Sequence, residues 1–204
     1  MFKKIASDAL GLSDIGSVIG PEDYDKVDTD DYVMHEDDEK IYFLIKSKAD
    51  EYCFTNKALI HLDGESATSK KRTLRRYEYY VNQISSVALE TAGTIDLDIE
   101  IKFKMGNESF SIDAHKKHIA ELKDLYKSLL KISEIQRDNQ SYLDYATQSV
   151  ELASSTLTRS EGTGSHLYEE FREINQIAFA WFVENKEKYN VKDFGNIYER
   201  YIHN

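Results

Sequence analysis

Five of the seven positions from Lys70 to Arg76 are basic: Lys70, Lys71, Arg72, Arg75 and Arg76, in a chain whose formal net charge is −11. Ammonium and guanidinium groups at this density are what an anion site requires, so these five are the candidate contacts for an anionic ligand or surface. The same residues on an exposed strand edge would instead block unwanted pairing. The overall charge narrows the partner, because binding a phosphate backbone needs a dominant basic footprint. Nucleic acid is not expected.

Other clusters fall short of a reaction centre. His115 and His118 lie three apart at a predicted helix start, but His118 with Glu121 supplies two ligands where zinc takes three or four. The acids from Asp23 to Asp38 lack the central glycine and the bidentate glutamate of a calcium loop. Asp96, Asp98 and Glu100 share one strand face at spacings of about 7 Å, yet Lys102 and Lys104 occupy the same face. That row reads as solvated, or as paired across strands or with a neighbouring protomer. Cys53 sits between Tyr52 and Phe54 in an apolar strand, where it packs rather than attacks, and a lone cysteine forms no internal disulfide. Gly162-Thr163-Gly164 follows a helix and not a strand, so it links helices instead of cradling phosphate. With no nucleophile, base and orienting group to assemble, the expectation is no enzyme, no cofactor and no metal.

The elements that carry these residues are legible from periodicity. From Thr94 to Met105 apolar and polar residues alternate without an error, which makes a strand of about 40 Å with one wet face. Candidate strands cover residues 39–46, 51–55, 57–63, 70–80, 83–91, 94–105 and 108–112, separated by Asn56-Lys57, Asp63-Gly64, Ala92-Gly93 and Gly106-Asn107 turns. Asp113 is placed to cap a helix whose Ile119, Leu122, Tyr126 and Leu129 form a stripe widened by Leu125 and Leu130. Ahead of the strands, Phe2, Ile5, Ala9 and Leu10 define an amphipathic helix over residues 1–21 that Pro21 ends, with Ile15, Val18 and Ile19 continuing its apolar content. Residues 22–39, with ten acids against one lysine, read as an extended, solvated connector.

The predicted architecture is α+β: seven antiparallel strands in a barrel or sandwich capped by one helix. Within it, Phe54-Thr55-Asn56 before Ala58-Leu59-Ile60, Lys70-Lys71 ahead of Tyr79-Tyr80 and Ile84-Ser85, and Glu90-Thr91-Ala92-Gly93-Thr94 with Asp96-Leu97-Asp98 and Glu100 resemble the bacterial pleckstrin-homology family. The resemblance covers about residues 35–130 within a proposed domain of 22–132, and departs at Tyr79-Tyr80-Val81, where the family's Ile-Pro-Tyr corner is missing. It implies a pleckstrin-homology-like barrel. Eukaryotic members hold phosphoinositides through basic residues of the first hairpin, here Lys46-Ser47-Lys48-Ala49-Asp50-Glu51, which does not reproduce that site.

Residues 133–204 read as a helical hairpin. Leu143, Ala146, Val150, Ala153 and Leu157 step by three and four, and so do Leu167, Phe171, Ile174, Ala178 and Trp181, with Ile177, Phe179 and Phe182 beside them. The second arc is too wide for one partner helix and one wet face, which makes Leu167, Phe171, Ile174, Phe179, Trp181 and Phe182 candidate oligomer contacts. This tail resembles the YvbH-like oligomerisation region, and the resemblance implies assembly into a ring or similar closed oligomer.

The expectation is therefore a non-catalytic interaction or scaffold protein that forms a homo-oligomer, with a protein or peptide partner allowed. The alternative is a peripheral membrane module meeting anionic lipid through the 1–21 helix and the 70–76 cluster. With 31 % charged residues and neither a spanning apolar run nor a secretory leader, the chain is expected to be cytoplasmic.

Overall fold

A computed structural model describes residues 14–64, 72–91, 98–159 and 167–203. The chain divides into two compact units, one running to Glu134 and resuming at Lys192, the other spanning Ile135–Val191.

The first unit holds two antiparallel sheets. Strands β1 (Ser17–Val18), β2 (Ile41–Lys46), β3 (Glu51–Thr55), β4 (Ala58–Gly64) and β5 (Arg72–Glu78) pair in sequence order, and β6 (Ile84–Thr91), β7 (Asp98–Met105) and β8 (Glu108–His115) form the second sheet. Register follows the alternation: Ile101 faces Ile112 and Phe103 faces Phe110, all inward, while Lys102 and Ser111 pair outward. Turn chemistry closes the hairpins. Thr55 Oγ1 accepts from the Lys57 and Ala58 amides at 3.1 and 2.9 Å, and Gly106 takes φ +58° between β7 and β8.

Among the described residues the sheets do not close into the expected barrel: β5 pairs with β4 alone and β6 with β7 alone. The chain leaves β5 through a turn in which the Val81 and Asn82 amides both donate to the Glu78 carbonyl, and this carries it to the other sheet. The sheets meet elsewhere. Gly16 bridges Ala114 of β8, its amide donating to the Asp113 carbonyl at 2.8 Å, while the next two residues pair with β2. A Cβ on Gly16 would lie 2.6 Å from Ile45 Cγ2 and 2.9 Å from the Asp113 oxygen, so the seam admits only glycine. Phe54 of β3 and Phe103 of β7 meet across the core, with ring centres 6.0 Å apart.

Three expectations change near the seam. Residues 1–13 of the predicted amino-terminal helix lie outside the described residues, and Ser17–Val18, read as its continuation, is a strand. The acidic stretch is not an extended connector but three short 3-10 turns, Pro21–Lys26, Asp28–Tyr32 and His35–Asp37. Val27 and Val33 turn inward to a cluster with Ile19, Leu44, Cys53 and Ile60, which holds the segment down and leaves most of its acids in water. Asp113 lies within β8 and caps no helix. The chain passes through a 3-10 turn at Lys116–His118 into α1 (Ile119–Arg159).

Helix α1 buries Leu122, Leu125, Leu129 and Ile132 in the first unit, whereas Leu130 is exposed. It runs 41 residues, straight through the 132/133 boundary read from the sequence, with no glycine or proline to end it, and the Ser133 hydroxyl donates to the Ile84 carbonyl at 2.7 Å. The hairpin of the second unit is therefore the distal part of α1 with α2 (Leu167–Tyr189). Residues 192–203, read as part of that hairpin, belong to the first unit, where α3 (Gly195–Tyr201) places Tyr198 against Tyr79.

Candidate functional site

The basic cluster is occupied by its own chain. Arg72 pairs with Asp28, Arg75 with Asp63 at 3.3 Å, and Arg76 grips Glu39 through two nitrogens at 3.0 and 3.1 Å; Lys70 and Lys71 lie outside the described residues. Glu39 has no exposed side-chain surface. Burial works to raise its pKa, but the hydrogen bonds from Arg76, Thr55 and the Met34 amide hold it below the usual carboxylate value. A second enclosed pair joins Lys46 to Glu51, whose carboxylate also accepts the Thr29 amide at 2.8 Å. Both pairs fasten the acidic segment to the five-stranded sheet, a use of these charges that composition does not reveal.

The remaining chemical candidates have structural partners as well. Lys102 lies 2.8 Å from both Glu100 and Glu90 on the outer face of β7, and these hydrogen bonds push its pKa up to about 12. Asp98 stands on the same strand, and Asp96 is outside the described residues. His118 Nδ1 meets Glu121 at 3.1 Å, and no group of three or more His, Cys, Asp or Glu among the described residues could hold a metal ion. Burial pushes the Cys53 thiol up, so it stays protonated and is a poor nucleophile.

Among the described residues, large exposed apolar side chains gather on α2. On α2, Phe179 and Ile177 are 72 % and 71 % exposed, and Ile174, Trp181, Phe182 and Val183 are exposed too. At 100° per residue these six spread round most of the helix. Leu167 and Phe171 occupy its first turns, with side chains outside the description. Within this unit the closely packed positions are modest: Ala146 and Asn185 are buried, and Tyr142 of α1 stacks on Tyr189 of α2 at 5.0 Å. Tyr142, Tyr145 and Leu152 extend the exposed apolar surface along α1. The two tyrosines fall off the heptad-like stripe, so periodicity missed them; their amphipathic rings are the signal that could have found them. Soluble monomers seldom keep so many large apolar side chains in water, whereas subunit contacts collect them. No helix among the described residues is long and apolar enough to cross a membrane.

An antiparallel two-sheet domain packed by a helix, joined to a helical unit with an exposed apolar arc, is the architecture of a pleckstrin-homology-like protein with a helical extension. The chain belongs to that family: residues 9–133 match the bacterial PH domain and residues 144–204 the YvbH-like oligomerisation region. It is 57 % identical over all 204 residues of both chains to a Bacillus subtilis (strain 168) protein described as uncharacterized protein YvbH. It is also similar to the crystal structure of a PH-domain-containing protein from Exiguobacterium sibiricum 255-15. The TM-score is 0.84 at 50 % identity, covering 93 % of this chain and 100 % of that one.

Proposed function

We propose that this chain is a non-catalytic scaffold whose pleckstrin-homology unit is displayed by a closed homo-oligomer, assembled through the surface of α1 and α2 in residues 135–191. The observation that carries this reading is the apolar arc of α2, with Phe179 and Ile177 the most exposed members. A second copy is the natural cover for such an arc, because the same surface is present at equal concentration and symmetry lets it close on itself. The match to an oligomerisation region across residues 144–204 supports the same partner.

The charged clusters support interaction over chemistry. Arg72, Arg75 and Arg76 each face a carboxylate of their own chain, which weakens the case for lipid headgroups at 70–76. The mass of the purified chain in solution, read by light scattering across concentration, tests the proposal. A discrete multimer that Phe179→Asp reduces to monomer supports it. A monomer at all concentrations overturns it, and a monomer that cosediments with anionic vesicles would move the function to the membrane.

A further inference from the structure

Residues 193–201 sit on the first unit as a ligand sits in a groove. They add no strand to either sheet and rejoin that unit only after the 57 residues of the other. The groove is built without them. Asn56 is fixed by its own unit, its Oδ1 accepting the Lys40 amide at 2.8 Å and its Nδ2 donating to the Asp38 carbonyl at 3.2 Å. The same amide group then donates to Asp193 at 2.6 Å, and the Asn56 carbonyl accepts the Phe194 amide at 2.8 Å. Tyr42 and Tyr79 make the walls. Tyr42 stacks on Tyr198 at 5.4 Å and donates its hydroxyl to Glu199 at 2.9 Å, while Tyr79 meets the Phe194 ring edge-on at 5.8 Å and shares a 2.6 Å hydroxyl contact with Tyr198.

Five residues of the segment make this fit. Phe194, Ile197 and Tyr198 enter the groove and are buried, and Asp193 caps the turn by accepting the Gly195 amide at 2.8 Å. Gly195 is closely approached: a Cβ there would stand 2.8 Å from the Tyr42 hydroxyl, 3.1 Å from Asp193 Oδ1 and 3.4 Å from Asn56 Cβ, so a larger side chain presses on the groove wall. Aromatic anchors in prepared pockets, with a few oriented hydrogen bonds at the rim, are how short peptides are recognised.

We propose that the groove of Tyr42, Asn56 and Tyr79 is an exchangeable peptide site for the sequence Asp193-Phe194-Gly195-Asn196-Ile197-Tyr198, and that the carboxy-terminal segment of a second copy can take the place of the chain's own. Occupancy in cis is favoured because the tether makes binding of the chain's own segment intramolecular. Exchange between copies would link neighbouring pleckstrin-homology units by a contact separate from the α2 surface.

The test uses the full chain and a fluorescent synthetic peptide of residues 192–204. Gly195→Val in the protein, whose branched side chain presses on the Tyr42 hydroxyl and Asn56 without changing a groove residue, should dislodge the internal segment, and this variant should bind the peptide saturably. The native chain should bind at least about tenfold more weakly, because its own segment competes. A peptide carrying the same Gly195→Val change should not bind, and Asn56→Ala added to the protein variant should weaken binding. Anisotropy reads peptide occupancy and light scattering reads mass, so failure of the α2 assembly would not be mistaken for failure here. If the Gly195→Val protein folds and ignores the peptide, the proposal is overturned. Should that variant not fold, a protease site placed at residues 190–191 is cut in the folded chain. Exchange of the freed fragment for labelled peptide supports the proposal, and retention without exchange, or unfolding when the fragment leaves, overturns it.

Discussion

Arg76 of β5 clasps Glu39 through both terminal guanidinium nitrogens, at 3.0 and 3.1 Å, and the carboxylate it holds has no surface in water. The contact ties the end of the acidic segment to the five-stranded sheet. Removing one partner of such an enclosed pair strands the other charge, which costs about 3 to 5 kcal/mol. Arg76→Ala should therefore lower the urea midpoint strongly, and Arg75→Ala, whose pair with Asp63 is half in solvent, should change it by about 1 kcal/mol or less. Equal effects of the two substitutions would remove the structural role given to Arg76.

The same carboxylate sets an acid limit. Glu39 has a folded pKa below its ordinary 4.5, so its contribution to stability is complete above the unfolded value and is lost as pH falls through the lower folded one. Unfolding midpoints taken from about pH 7 to about pH 3 should fall for the native chain. Glu39→Gln should be less stable near neutrality and flatter on the acid side. A parallel decline in the two proteins would place the acid sensitivity elsewhere.

Gly16 and Gly20 make a matched pair. A Cβ on Gly16 meets the Ile45 side chain and the Asp113 backbone within 3 Å, whereas one on Gly20 meets only the Glu22 carboxylate arm, which can swing into water. Gly16→Ala should thus cost about 1 to 3 kcal/mol through overpacking at the seam, with Gly20→Ala near neutral. Thermal unfolding of the two variants checks the difference. Loss on Gly20→Ala comparable to that on Gly16→Ala would mean that the seam is not the tight point.

The parts of this fold that sequence disclosed are those where one physical rule acts alone. Alternation from Ile99 to Met105 predicted which side chains point inward, because a strand with one wet face has no other arrangement. Where two rules compete, composition misled. Ten acids across residues 22–39 argued for a solvated connector, yet Val27 and Val33 anchor that stretch, Arg76 neutralises Glu39 from 37 residues away, and the Glu51 carboxylate holds the Thr29 amide from 22 residues away. Continuity of α1 past Ser133 was hidden by the change in apolar period, which marks a change in what the helix packs against and not its end. On α2 the apolar arc was visible from spacing, but the docking of Phe194 and Tyr198 on the first unit was not. A buried aromatic at the N-cap and another in the seven-residue helix that follows give too short a pattern to assign a neighbour.

Trp181 is the only tryptophan in the chain and lies in the exposed arc of α2, which makes it an intrinsic reporter of what covers that arc. If a second copy covers it, Trp181 emission should be blue-shifted in concentrated solution and move to the red on dilution, in step with the fall in mass. Phe179→Asp places a charge among the same side chains and should give the red-shifted spectrum at every concentration. Trp181→Ala, removing a large aromatic from the contact, should cost about 3 to 5 kcal/mol of assembly, which at 1.4 kcal/mol per tenfold weakens association by two orders of magnitude or more. Arg72→Ala and Arg75→Ala touch only pairs within their own unit and should leave both mass and spectrum unchanged. A multimer whose Trp181 stays red-shifted throughout would show assembly through another surface.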